Sequence, residues 1–306
     1  MIVYTDTIPY AVQKLGFKKD YEEIKVDNLD KSISRLAKRL FQKETIYSQK
    51  NDELPFWQYL FIVGKSEDSQ FDILTRLSSE DVTLPDRILC LASEGKNFHG
   101  FKNRPWASLQ GNLHLSAYFC PDTTLDHFAS AFMVLPAVSV VETIDEIPEL
   151  KAKAMIKWVN DILIDKAKVS GVISSTKIQG NILKNVVLGV GLNIEAKPFV
   201  VPNEFVPKVT CIRLHTKSPD AAYYCKIFRN FISKLEINYK KILQGNYFEL
   251  LDKYRDRSLI INNEVIIEQE QTQKRIKGTV ESIGNDLELY IKDLPEPIND
   301  GRLILL

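Results

Sequence analysis

Very little in this chain could hold a structural metal or bridge a disulfide. The four cysteines, Cys90, Cys120, Cys211 and Cys225, form no C-x-x-C pair. A chain of 306 residues can bury a core without cross-links, so they read as reduced thiols that pack. His99, His114, His127 and His215 lack ligand spacing, which argues against a structural zinc site. An excess of one charge is also missing. The 40 basic residues balance 40 acidic ones, so bulk charge does not hold this protein on nucleic acid, although a local basic loop could still bind phosphates. The N-terminus has no basic patch followed by an apolar core, so no signal peptide is expected. The longest mostly apolar run, 128–141, contains Pro136 and is too short to span a bilayer. Cytoplasm is the default expectation, with no membrane partner. No repeat or low-complexity tract is present.

What remains is an ordinary globular composition, 44% hydrophobic and 26% charged, at a length that suggests about two domains. Helical spacing of Leu29, Ile33, Leu36, Leu40 and Phe41 predicts a helix within 28–48. Strands are expected at 59–63, 87–92, 113–119, 154–158, 162–164, 169–174 and 185–194, with a hairpin turn at 179–181. A helix could begin at 69–77. A long helix over 124–147 should kink or break at Pro136. An amphipathic helix is expected over 220–243, with Phe228, Ile232, Leu235, Tyr239 and Ile242 on one face. After residue 257 the chain changes to short Ile- and Val-rich strands at 259–269, 275–283 and 287–291. The division is therefore 1–58, an N-terminal extension that could cover a sheet edge; 59–257, a catalytic domain; and 258–306, a small β module.

The chemistry concentrates in Lys157-Trp158-Val159-Asn160-Asp161 and Lys168-Val169-Ser170-Gly171. A strand delivers Trp, Asn and Asp to a turn, and a second strand carries a lysine and then a glycine. Glycine inside a strand marks close approach of a backbone or ligand, and the lysine beside it could bind an anion there. A plain hairpin with a solvated lysine fits the same residues.

Lys-Trp-x-Asn-Asp followed by Lys-x-x-Gly resembles the signature of biotin–protein ligases. Other pieces agree in order: Arg104-x-Trp106-x-Ser108 with Gly111-Asn112-Leu113, then Gly189-Val190-Gly191-Leu192-Asn193. The β module resembles the family's C-terminal Src-homology-3-like barrel, and the likeness covers roughly residues 60–306. It implies an α+β fold. A mixed central β-sheet flanked by helices, like the catalytic domain of class II aminoacyl-tRNA synthetases, would precede a small C-terminal β-barrel. It also implies ATP-dependent activation of biotin to biotinyl-5′-adenylate and transfer to a lysine of a biotin carboxyl carrier domain.

The same resemblance implies roles. Lys168 would be catalytic, meeting the biotin carboxylate and the α-phosphate, because joining two anions requires fixed cations and donors. Biotin would be held by Ser69, Gln70, Gly95, Lys96, Lys168 and Gly171. The nucleotide would be held by Lys96, Gly100, Lys102, Arg104, Trp106, Asn160, Asp161 and Asn193, with Trp106 over adenine. Asp161 is a candidate for orienting Lys157 or for a magnesium ion that accompanies ATP. For Trp106 and Trp158, core packing is the simpler alternative. So is an N-cap for Asp68 or Ser69.

The loop departs from the family pattern Gln-x-x-Gly-Arg-Gly-Arg-x-x-Arg-x-Trp. Ala92 replaces the glutamine, about three residues are inserted before Gly100, and the next arginine becomes Phe101 or moves to Lys102. Val159 replaces the proline of Lys-Trp-Pro-Asn-Asp. These changes put the acyl group in question more than the adenylation. They keep open a lipoate or octanoate ligase or transferase, and a non-catalytic binding protein on the same scaffold. No Arg-Arg-x-x-Gly-Gly-Gly stretch supports the former. No winged-helix module is evident, so DNA is not an expected partner, and a homodimer is left open.

Overall fold

Side chains on successive strand residues point to opposite faces, so strands apolar at every position need cover on both sides. The computed structural model, which describes residues 1–80, 83–217, 223–270 and 272–306, has that arrangement. The N-terminal half contains β1 (Ile2–Thr5), α1 (Ile8–Gln13), β2 (Glu22–Lys25), α2 (Lys31–Phe41), β3 (Thr45–Lys50), β4 (Tyr59–Ser66), α3 (Gln70–Ser79), β5 (Ile88–Gly95), β6 (Leu113–Phe119) and α4 (Phe128–Asp145). Then come β7 (Ala154–Lys157), β8 (Asp161–Ile164), β9 (Ala167–Gln179), β10 (Ile182–Leu192), α5 (Tyr223–Leu243) and α6 (Tyr247–Asp256). The chain ends in β11 (Glu264–Glu268), β12 (Arg275–Ile283), β13 (Leu289–Ile291) and β14 (Arg302–Leu305).

Ten strands form one sheet in the order β2-β3-β1-β4-β5-β6-β10-β9-β8-β7. It is mixed, because β1, β4 and β5 run parallel while the other neighbours are antiparallel. Alternation divides the core. Leu60 and Ile62 of β4 join residues of α4, α5 and α6 on one face, and Phe61 and Val63 join residues of α2 and α3 on the other. This is the expected helix-flanked mixed sheet. Residues 1–58 do meet a sheet edge. β1 pairs with β4, and β3 and β2 follow, carrying the sheet three strands further.

Several local expectations shift. The helix within 28–48 stops at Phe41, where Gln42 turns left-handed at φ 52°, and 45–50 becomes a strand paired to β1 and β2. Helical spacing in 29–41 is real, but the following Thr-Ile-Tyr run favours extended chain. The helix over 124–147 is shorter, and Pro136 does not break it. Most of α4 is buried, and that packing offsets the roughly 3 kcal/mol a proline costs a helix interior. At 18 residues α4 is long and apolar enough to cross a membrane, but 78% of it is buried within the fold, as in a core helix. The amphipathic helix over 220–243 is α5 from Tyr223 onward; residues 220–222 lie outside the described part.

After 257 a four-stranded antiparallel sheet, β13-β12-β11-β14, forms the expected small Src-homology-3-like module. Its Ile260, Val265, Ile267 and Val280 share the main core. The Trp158 indole N–H donates to the Leu287 carbonyl at 2.7 Å. Trp158 is therefore buried and ties the module to the sheet, and it also lines the cavity described below.

Candidate functional site

In a regular strand Lys168 and Gly171 would face opposite sides, three residues apart. The β8–β9 register corrects this. Ile162 pairs with Ser170 but Leu163 pairs with Lys168, so Val169 is an extra residue and a bulge re-aims the lysine. Lys168 thereby comes over Gly171, whose Cβ, if it had one, would meet the lysine Cε and Nζ at 3.4 Å. The 208–210 segment fixes the bulge. Lys168 N–H donates to Lys208 O, and Thr210 N–H donates to Lys168 O, both at 2.9 Å. Asp161 accepts from the Lys168 ammonium at 2.6 Å, so it orients Lys168. Lys157, the partner expected for Asp161, instead donates to the Phe205 carbonyl at 2.6 Å. Burial lowers the Lys157 pKa to about 8; Asp161 opposes that shift, and Lys168, Arg302 and Arg104 add to it.

Gly171 and Gly191 are cross-strand partners in β9 and β10 and leave a bare floor on the sheet. The Trp106 ring fills it. A Cβ on Gly191 would lie 2.3 Å from a Trp106 ring atom, and one on Gly171 3.5 Å from another. Close approach is expected for Gly171, where the contacts are ordinary ones; it occurs at its partner Gly191 and is made by the indole. His114 on β6 locks its orientation. The His114 Nε2–H donates to Leu109 O at 3.0 Å, which leaves Nδ1 to accept the Trp106 indole N–H at 3.3 Å. Burial lowers the His114 pKa to about 4, so it is a neutral acceptor. The Lys168 ammonium lies 5.7 Å from the Trp106 ring centroid, within cation–π range.

Around this floor is a cavity of about 470 Å³, a size suited to a small ligand. The residues 98–106 fold over it as a tight loop: Trp106 N–H donates to Phe98 O, and Gly100 N–H to Arg104 O. His99 pins that loop. Its Nδ1 lies 2.9 Å from Gly100 O and its Nε2 2.9 Å from both Asp72 carboxylate oxygens on α3. Both neighbours are acceptors, so the protonated ring satisfies both contacts as a donor. Burial pulls the His99 pKa down, but the Gly100 and Asp72 contacts outweigh it and the pKa is raised.

Of the residues proposed from the sequence, Ser69, Gly100, Arg104, Trp106, Asn160, Asp161, Lys168, Gly171 and Asn193 line the cavity, and Gln70, Gly95, Lys96 and Lys102 do not. Lys96 is exposed and paired with Glu67 at 3.2 Å. Gly95 makes room for the Phe98 ring, which would lie 2.2 Å from its Cβ. Lys102 pairs with Glu270 and lies 3.7 Å from Asp300. Gln70 is completely buried in α3. Its amide has no hydrogen-bond partner among the described residues. The asparagines at the wall are committed to the backbone. Asn160 donates to Val172 O at 2.7 Å; Asn193 donates to Thr210 O and accepts from Asn112. Ser69 is the N-cap residue of α3, although its hydroxyl makes no capping bond.

Sequence reasoning missed His99, His114 and Arg302. The histidines lacked any ligand spacing to attract notice. Arg302 carried a signal, a lone arginine inside Gly-Arg-Leu-Ile-Leu-Leu, because an apolar strand seldom holds a charge without a reason.

A magnesium ion fits the protein residues poorly. Asp161 is engaged by Lys168, and no group of three or more His, Cys, Asp or Glu side chains could hold a metal among the described residues. Such an ion would have to be carried mainly by the phosphates of a nucleotide.

Residues 68–193 match the model of the biotin/lipoate A/B protein ligase family. The chain is 31% identical over 121 residues to the bifunctional ligase/repressor BirA of Bacillus subtilis, and 29% identical over 121 residues to that of Bacillus spizizenii. Each match covers 39% of this chain and 36% of the relative, so the chain spans about a third of the curated relatives' length. Among solved structures, the biotin protein ligase of Aquifex aeolicus in complex with biotin and ATP superposes with a TM-score of 0.62 at 21% identity, covering 81% of this chain and 98% of that one. A biotin protein ligase-like protein of unknown function from Silicibacter gives 0.53 at 14% identity, covering 82% and 94%. At these identities the structural likeness establishes the fold. The segment that matches the biotin/lipoate A/B protein ligase family model, residues 68–193, carries the glycine floor, Lys168 and the Trp106 loop.

Proposed function

We propose that the chain is an ATP-dependent biotin–protein ligase that forms biotinyl-5′-adenylate and passes biotin to a lysine of a biotin carboxyl carrier domain. The observation that carries this reading is Lys168, turned by the Val169 bulge to lie beside Trp106 on the Gly171–Gly191 floor. A biotin carboxylate oxygen attacks the α-phosphorus, and the bond to pyrophosphate breaks with its electron pair. Lys168 stabilises the charge gathered between the two anions, and Trp106 supplies an aromatic surface for adenine. The carrier amine then attacks the acyl carbonyl, loses a proton and expels AMP. Magnesium would enter with ATP, carried by its phosphates rather than by Asp161, and no step depends on it here. On this reading the protein works beside its carrier, for which the cytoplasm is proposed. The matched relatives are named bifunctional ligase/repressors. That no DNA is bound is a proposal for this chain, supported by its neutral charge.

One set of contacts favours a second reading, a lipoate or octanoate ligase. Phe71, Phe98, Phe101 and Ile173 line the cavity, and Ala92 stands where the family has glutamine, so an unbranched acyl chain would meet suitable apolar walls. Pyrophosphate release from ATP, measured with biotin, lipoate and octanoate in turn, decides between them. Release with biotin alone supports the first reading, release only with lipoate or octanoate replaces it with the second, and no release with any acid removes both.

A further inference from the structure

The cations around the cavity differ in what already holds them. Lys168 is paired with Asp161, Lys157 donates to the Phe205 carbonyl, and Arg104 is paired with Glu270. Arg302 of β14 is different. It lines the cavity, yet its guanidinium makes no ion pair or side-chain hydrogen bond among the described residues. Its Nε is buried without a partner. The plane is nevertheless fixed, because the guanidinium carbon lies 3.4 Å from the centre of the Phe205 ring. Burial first, and then the repulsion of Arg104, lower its pKa, while Glu268, Glu270 and Asp161 attract it. Stacked and partly dried, with its donors unspent, Arg302 is prepared for a planar oxyanion.

We propose that Arg302 is a phosphate-binding residue through which the C-terminal module holds the pyrophosphate part of a nucleotide. The inference rests on the nucleotide reading above and deepens it. Adenylation divides ATP into a monophosphate half and a more highly charged leaving half. Lys168 and Trp106 serve the first on the sheet. Arg302, on β14 against Phe205, lies within charge range of Arg104, Asp161 and Lys157 in the same cavity, where the second half requires a cation of its own. Counting Lys157, Lys168, Arg104 and Arg302 against Asp161 and Glu270, the cavity keeps a net charge of two positive, which a polyphosphate offsets.

The test is calorimetry on the full chain with inorganic pyrophosphate and, separately, AMP. Arg302→Gln should weaken pyrophosphate binding by about 10- to 100-fold, the range expected for a hydrogen bond to a charged group, and leave AMP and biotin affinity unchanged. Arg302→Lys keeps the charge without the planar fork and should fall between. It also serves as the working variant if Arg302→Gln does not fold, as judged by circular dichroism. Unchanged pyrophosphate affinity in a folded variant overturns the inference, as does an equal loss for AMP, which would make Arg302 a packing residue on Phe205. Those outcomes leave the ligase reading standing if biotin still drives pyrophosphate release. No binding of pyrophosphate or AMP by the unaltered chain would remove both.

Discussion

Lys168 faces Asp161 at 2.6 Å and the Trp106 ring at 5.7 Å, so an aspartate and an aromatic ring hold one ammonium at the meeting point of two proposed anions. Its value lies in the charge that concentrates during attack, and such contacts typically contribute about 10²–10³ in rate. Lys168→Ala should therefore lose adenylate formation by that factor while ATP still binds, read as single-turnover adenylate yield beside nucleotide affinity. Near-normal turnover would rule the assignment out. Gly191 tests the floor. An alanine Cβ there would lie 2.3 Å from the rigid Trp106 indole, so Gly191→Ala should displace the ring and cost about 1–3 kcal/mol, the range for overpacking. Tryptophan fluorescence and the melting temperature should change together, and an unaltered spectrum and stability would mean the ring yields freely. Both residues were legible as a lysine and a glycine at family spacing. The bulge that brings Lys168 onto the face of Gly171 was not, because a strand pattern does not reveal an extra residue until the partner strand is aligned.

At the level of elements, the apolar strands were legible because burial on both faces leaves an unmistakable pattern, and β6 falls where it was expected. The N-terminal strands were not. β2 is four residues with a mostly exposed, charged sequence, as sheet edges tend to be, and such a run looks like loop. The 95–106 loop was legible as a basic, glycine-bearing segment, but its attachment was hidden, since Asp72 and His99 come from different parts of the chain. That attachment makes loop closure pH-dependent. The His99 pKa is raised above its ordinary 6.5. The stabilisation is therefore complete below 6.5 and is lost as pH rises through the higher, folded-state value. Amide exchange in 98–106, corrected for intrinsic rate, should accelerate above that point, and His99→Gln should show the faster exchange at every pH. Equal protection in wild type and variant at pH 6 would mean that the backbone bonds of the loop suffice without the imidazolium.

Over the whole molecule, the C-terminal module contributes more than a cap. Gly301, Arg302 and Leu303 line the cavity, Leu287 receives the Trp158 indole, and Glu270 takes both Lys102 and Arg104 of the loop. One carboxylate thus binds two of the cations that a phosphate would need. The pairs are partly exposed, with Glu270 at 19% and the two cations at about 40%, so each is worth only about 0.2–1 kcal/mol. A ligand phosphate competes with Glu270 for that amount. Glu270→Gln should therefore strengthen pyrophosphate binding to the full chain by roughly two- to thirtyfold, the combined value of the two freed pairs. In the absence of ligand it should also speed amide exchange in 98–106, because the loop loses its attachment to the module. The gain should shrink as salt is raised, since screening weakens the competing pairs and the ligand contacts alike. If pyrophosphate affinity is unchanged or falls, Lys102 and Arg104 bind no anion in the cavity, and Glu270 is simply an anchor between loop and module.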